Sequence, residues 1–317
     1  MHNAERSRAR GDNSWYSEVL PSPDLAPWIA YYRFVRAPHS AALHGAMAQP
    51  AEVLRVLPDG SAGLVVDCLS TAPPIVLGAP TTATLIPLAT GVAFVGVRFR
   101  PGAAVPFVGG ELSALTGRRF PLPLLWGGLA DQLVNELGAA EETDRVAALE
   151  RALRARLREH ARAPRTVRLA RAGTTDDATL VARAAARLGS AGHEGRVREV
   201  AAALGVGERR LERVFDRAVG VGPKLFARMR RVGTAARLIR QQLGQPDTIP
   251  DGRRRGWKEE GDAAKRVRWA ALAAEAGFVD QPHLIRDFTA LAGVTPVAYA
   301  RERRPVGFLQ YTDRQSR

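Results

Sequence analysis

A chain of 317 residues with 46% hydrophobic and 25% charged residues has the composition of a globular protein of roughly two domains, which excludes wholesale disorder and fibrous architectures. Its 46 Lys+Arg outnumber 32 Asp+Glu and leave +14 at pH 7. The single cysteine, Cys68, excludes an internal disulfide framework and any multi-cysteine zinc site.

Only Lys224, Lys258 and Lys265 are lysines, so the positive charge is almost all guanidinium, suited to bidentate contact with phosphate and guanine edges. A GC-rich genome would raise the arginine count equally, so the distribution of charge says more than its size. Residues 1–160 carry 15 Arg and 15 Asp+Glu; residues 161–317 hold the remaining 31 cations and 17 anions, and with them the whole +14. A neutral front half and a basic rear half suggest a polyanion-binding module joined to one with another task.

The first residues have no apolar core behind their arginines and do not read as a secretory signal. No uninterrupted apolar run reaches the roughly 18 residues of a membrane helix. A cytoplasmic protein without membrane attachment is expected.

In chain order, residues 1–14 are polar and read as a disordered N-terminus. Residues 15–125 alternate short apolar stretches with Pro and Gly and read as a β-rich domain. Within it, 52–57 and 63–69 read as two strands joined by the turn Pro58-Asp59-Gly60; 75–77, 82–87 and 94–100 are further strands, and Cys68 reads as a buried, inert thiol in the second. From 126 to 173 helical spacing takes over, with Leu129, Leu133, Val134 and Leu137 in one segment and Val146, Leu149, Leu153 and Leu157 in the next. These two helices and a basic linker at 161–173 are expected to bridge the halves. Leu180, Val181, Ala184, Ala185 and Leu188 mark another helix, ended near Gly189.

Comparing the rear half with itself gives the strongest signal in the chain. Leu211, Arg213, Phe215, Gly220, Val221 and Pro223 return at an offset of 73 as Leu284, Arg286, Phe288, Gly293, Val294 and Pro296, and the aromatic Phe226 returns as Tyr299. Each copy follows a short helix and a glycine: Val197, Val200, Ala201 and Leu204 before Gly205, and Leu272, Ala273 and Ala276 before Gly277. Helix, glycine turn and second helix form the helix-turn-helix arrangement, whose second helix enters the DNA major groove. At about 100° per residue, Leu211, Val214, Phe215 and Ala218 share one arc, and Arg209, Arg210, Arg213 and Arg217 share the opposite one, a cationic face expected to bind DNA. In the second copy Leu284, Phe288 and Leu291 face inward, while Pro282, His283 and Arg286 point away.

These residues resemble the AraC/XylS family of bacterial transcription regulators, whose DNA-binding domain holds two helix-turn-helix units joined by a long helix. The most specific stretch runs from Gly277-Phe278-Val279-Asp280-Gln281 through Arg286-Asp287-Phe288 to Gly293-Val294-Thr295-Pro296 and Tyr299. The resemblance runs from about Asp176 to Arg303, within a DNA-binding domain placed at 174–304, and implies double-stranded DNA as partner. It places base contacts at Arg209, Glu212 and Arg213 in the first unit and at Gln281, His283 and Arg286 in the second. Arg can grip guanine O6 and N7, Gln can pair with adenine, and Glu can accept from cytosine N4. The connecting helix would carry Leu225, Met229, Val232, Ala236 and Ile239 on one face. A loop insertion at about 242–263, with the run Arg253-Arg254-Arg255, exceeds the family's usual length. Gly207 stands where the family tends to have a capping Ser and is a weaker cap. Residues 305–317 read as a tail.

The front half resembles, less specifically, an uncharacterised N-terminal domain often fused to such regulators. The implied fold class is α+β and multidomain: a β-rich front domain for which a cupin-like form is open, a helical bridge, and an all-α rear domain. The resemblance allows a small-molecule effector, contact with RNA polymerase and a homodimer, and leaves activation or repression open.

No enzymatic constellation is found. The six histidines, His2, His39, His44, His160, His193 and His283, contain neither His-x-His nor His-Glu-x-x-His, so no metal site and no cofactor are expected. A methyl-acceptor DNA-repair enzyme would need more cysteines. Two alternatives stay open: a non-specific or architectural DNA-binding protein, for which +14 would suffice, and a sensor whose front half has its own small-molecule or enzymatic role.

Overall fold

In strand 93–99, Ala-Phe-Val-Gly-Val-Arg-Phe, the alternation of side chains sends Val95, Val97 and Phe99 to one buried face. This strand, β7 (Ala93–Phe99), lies inside a six-stranded antiparallel sheet of order β1-β2-β7-β4-β5-β8. Its companions are β1 (Tyr16–Val19), β2 (Ile29–Arg36), β4 (Gly63–Asp67), β5 (Ile75–Leu77) and β8 (Arg119–Pro121). Register sets Tyr32 and Leu64 on either side of Val97, and Phe34 and Val66 on either side of Val95, so two buried rows cross the sheet. A second, three-stranded sheet has the order β6-β3-β9 and consists of β3 (Glu52–Val56), β6 (Thr84–Leu88) and the two-residue β9 (Val306–Gly307).

These relations come from a computed structural model that describes residues 16–36, 52–70, 72–88, 93–164, 175–189, 197–244, 263–302 and 306–307. The expected disordered N-terminus, most of the linker at 161–173, nearly all of the insertion at 242–263, and His39 and His44 lie outside the described residues.

The architecture is α+β, a β-rich front half followed by a helical rear half. Three expectations are corrected in detail. Strands 52–56 and 63–67 do not pair with each other: β3 pairs antiparallel with β6 and parallel with β9, while β4 pairs with β5 and β7. The connection between them is not the turn expected at Pro58-Asp59-Gly60 but a buried segment, residues 57–62, in which Asp59 is gripped by Arg98 of β7. Cys68 follows β4 rather than sitting in it, and is partly exposed.

The helices expected as a bridge, α3 (Gly128–Ala139) and α4 (Arg145–Arg162), pack on each other, α4 also on the short α1 (Val105–Val108) of the front half and α3 on α2 (Pro123–Trp126). What ties α4 there is Glu150, buried at 6% exposure. It accepts from the Ser22 backbone N–H at 2.7 Å, from the Ser22 hydroxyl, and from Tyr32 Oη at 3.4 Å. Arg154 reaches both Glu150 and Asp24. Burial, with Glu150 beside it, pushes the Tyr32 phenol well above its ordinary range.

The rear half comprises α5 (Thr175–Gly189), α6 (Val197–Ala203), α7 (Glu208–Val219), α8 (Pro223–Gln242), α9 (Trp269–Glu275), α10 (Gln281–Ala292) and α11 (Pro296–Arg301). The central α8 buries Met229, Val232, Ala236 and Ile239 of the stripe read from the sequence, leaves Leu225 half-covered, and buries Phe226 as well. One continuous buried cluster runs from Leu25 and Ile29 in the front half to Phe288 and Tyr299 in the rear.

Candidate nucleic-acid interface

The repeat folds the same way twice. In each copy a short helix, α6 or α9, turns through a glycine with positive φ, Gly205 (69°) or Gly277 (80°), into a twelve-residue helix, α7 or α10. Each twelve-residue helix stops at a left-handed glycine, Gly220 (φ 88°) or Gly293 (φ 73°), whose N–H reaches back to the Asp216 or Thr289 carbonyl. Proline then opens the next helix. The repeated aromatic pair has the same geometry in both: Phe215 and Phe226 are 5.2 Å apart at 67°, and Phe288 and Tyr299 are 5.2 Å apart at 67°. The copies differ at the turn. The offset of 73 between α7 and α10 becomes 72 between Gly205 and Gly277, so the second turn is one residue longer.

They also differ at their starts. Asp280 caps α10, its carboxylate accepting from the His283 N–H at 2.7 Å, whereas α7 begins at Gly207 with no side-chain cap. This is the weaker cap expected from the sequence.

The core faces are those of the helical wheel: Leu211, Phe215 and Ala218 are buried in α7, and Leu284, Phe288 and Leu291 in α10. Arg209, Arg210, Glu212, Arg213, Gln281 and Arg286 are exposed. Among the described residues the side chains of Arg209, Arg213 and Arg286 meet no ion-pair or hydrogen-bond partner. The remaining candidates are engaged. Arg210 lies 3.3 Å from Asp177 of α5, and Arg217, only partly exposed, lies 2.8 Å from Glu111 of the front half. His283 is half-buried, its Nε2 3.3 Å from Asp287 Oδ2 and its ring edge-on to Phe278. Arg217 sits in the last turn of α7, beyond the early positions that lead a recognition helix into a groove.

A network not singled out in the sequence lies behind α10. Asp287, buried on α10, is 2.9 Å from Arg228 and 3.7 Å from Arg231, both on α8. Burial draws the Arg231 guanidinium below its ordinary value, Asp287 opposes that, and Phe278 lies under the Arg231 cation at 5.6 Å. The repeat carried the signal: Asp287 stands where the first copy has half-buried Val214.

Among the described residues no group of three His, Cys, Asp or Glu side chains could hold a metal ion, and no helix is long and apolar enough to cross a membrane. The arrangement presents cations and amide and carboxylate groups from two like helices, the chemistry of base-edge and phosphate contact.

The profile of a domain of unknown function, DUF6597, matches residues 17–121, which is the β-rich front half. No curated protein matches the chain. Among solved structures, ToxT from Vibrio cholerae O395 is 11% identical with a TM-score of 0.34, covering 79% of this chain and 96% of that one. An apo ToxT variant from strain SCE256 of the same organism is 11% identical with a TM-score of 0.36, covering 92% and 98%. Wild-type ToxT of that strain bound to an unsaturated fatty acid is 12% identical with a TM-score of 0.34, covering 79% and 86%. Likeness of that degree does not say what this chain binds.

Proposed function

We propose that the chain is a sequence-specific DNA-binding transcription regulator of the AraC/XylS type, with α7 and α10 reading two successive major-groove segments. The observation that carries this is the doubled unit itself. Two copies with the same internal geometry leave Arg213 and Arg286, at equivalent positions, exposed and unpaired among the described residues. A solvated surface would need no such register, whereas a two-part DNA site does.

Within this reading Arg209, Glu212 and Arg213 contact bases from the first unit, and Gln281 and Arg286 from the second, while His283 is held by Asp287. Arg210 and Arg217 contribute to the positive field rather than to base readout, because acidic neighbours hold them. The front half is the controlling module, through an effector or through dimerisation.

Selection from a random pool of duplexes tests the function. A two-part motif, with a preference over random DNA that survives raised salt, is the expected result. Binding without an enriched motif, and lost in step with counterion concentration, would leave only the architectural reading.

A further inference from the structure

The last four carbonyls of a helix have no partner within it and must find donors elsewhere. At both recognition helices some of those donors come from the front half. The Thr116 hydroxyl donates to the Gly220 carbonyl just past α7. At the end of α10, the Ala83 N–H donates to the Leu291 carbonyl at 2.7 Å, and Arg55 Nη1 donates to the Ala292 carbonyl at 2.7 Å. Gly293 is the repeat equivalent of Gly220, and Leu291 and Ala292 immediately precede it, so one domain grips the same end of both helices at adjoining carbonyls.

The fit at each grip is close. A side chain on Gly220 would come within 2.8 Å of the Leu112 carbonyl and 2.9 Å of Thr116 Oγ1. A methyl on Gly60 would strike the Phe226 ring, the partner of Phe215 in the first unit's core. At the other grip Arg55 is buried and also forks Glu302, beyond α11, through Nε at 3.1 Å and Nη2 at 2.7 Å. Two strands of the front half, β3 carrying Arg55 and β7 carrying Arg98, thus lead to separate helix-turn-helix units, Arg98 through Asp59 and the adjoining Gly60.

We infer that the front half is a splint: Thr116 at one end and Arg55 at the other are positioning residues that fix the spacing and angle of α7 relative to α10. Neither touches DNA. Both act through the carbonyl ends of the helices that do, and this rests on the proposed reading of α7 and α10 as DNA-reading helices.

The test measures the spacing without DNA, so failure to find a binding site is a separate result. In the full chain carrying Cys68→Ser, spin labels at Asp216→Cys and Thr289→Cys, both exposed, report the distance between the two helices by pulsed electron resonance. One narrow distance is expected in this background, and its loss into a broad distribution in Thr116→Val and in Arg55→Ala, with Arg55→Lys narrower than Arg55→Ala. Should Arg55→Ala fail to fold, Thr116→Val decides alone, since it only exchanges the hydroxyl for a methyl group. Ser22→Ala, which weakens the front half away from these grips, should leave the distance narrow. A distance that stays narrow in Thr116→Val and in any Arg55→Ala that folds, or that broadens equally in Ser22→Ala, overturns the splint. Where a two-part site is in hand, base pairs inserted between its parts should weaken the parent protein more than Thr116→Val; equal sensitivity overturns the splint as well.

Discussion

Arg228 of α8 and Asp287 of α10 lie 2.9 Å apart, and Arg231 approaches the same carboxylate at 3.7 Å. The first copy has no counterpart, because Val214 occupies the equivalent place. Helix α10 is therefore tied to α8 by charge where α7 is seated by packing. Asp287→Ala should destabilise the protein by about 1–3 kcal/mol, since it leaves cations partly buried without their partner. Asp287→Leu, which supplies apolar contact, should cost less than a pure loss of packing would suggest. Urea unfolding of both variants checks this, and equal stability of Asp287→Ala and the parent would contradict it.

The exposed cations make a contrasting prediction. Arg213→Ala and Arg286→Ala should each weaken binding to a selected site by about 1–3 kcal/mol. Both side chains are exposed, so their unfolding midpoints should match the parent's closely. Fluorescence anisotropy titration paired with thermal unfolding separates the two effects.

The helix starts predict opposite signs. Asp280→Ala removes the only side-chain cap of α10 and should cost about 1 kcal/mol. Gly207→Ser adds a cap to α7, where none exists, and should gain a few tenths of a kcal/mol. Denaturant midpoints that move the same way in both variants would contradict this account of the two N-termini.

Glu150 predicts how firmly α4 belongs to the front half. Glu150→Ala strands the Ser22 N–H and hydroxyl and the Tyr32 phenol in a buried site and should destabilise the chain by on the order of 3 kcal/mol. Differential scanning calorimetry reads the loss directly.

The doubled unit was legible in the sequence because its signals are local and appear twice: core residues at helical spacing, a glycine at each turn and an arginine two places beyond each buried leucine. The sheets were less so. Strand order depends on pairing over long separations, so β3 and β4, neighbours in sequence, join different sheets, and the two-residue β9 carries no pattern of its own. Glu150 reads as an ordinary charge on the flank of a helix because its partner Ser22 is 128 residues away. The grips of Thr116 and Arg55 were hidden for the same reason, and because their acceptors are backbone carbonyls, which sequence does not distinguish.

The most direct measurement is the base preference of the parent, Arg213→Ala and Arg286→Ala compared position by position on the same duplex library. Two separate blocks of preference are expected for the parent, with each variant flattening part of a different block and leaving the other intact. Identical profiles for all three proteins, or one block erased by both variants, would contradict the central claim that two like helices read two stretches of DNA.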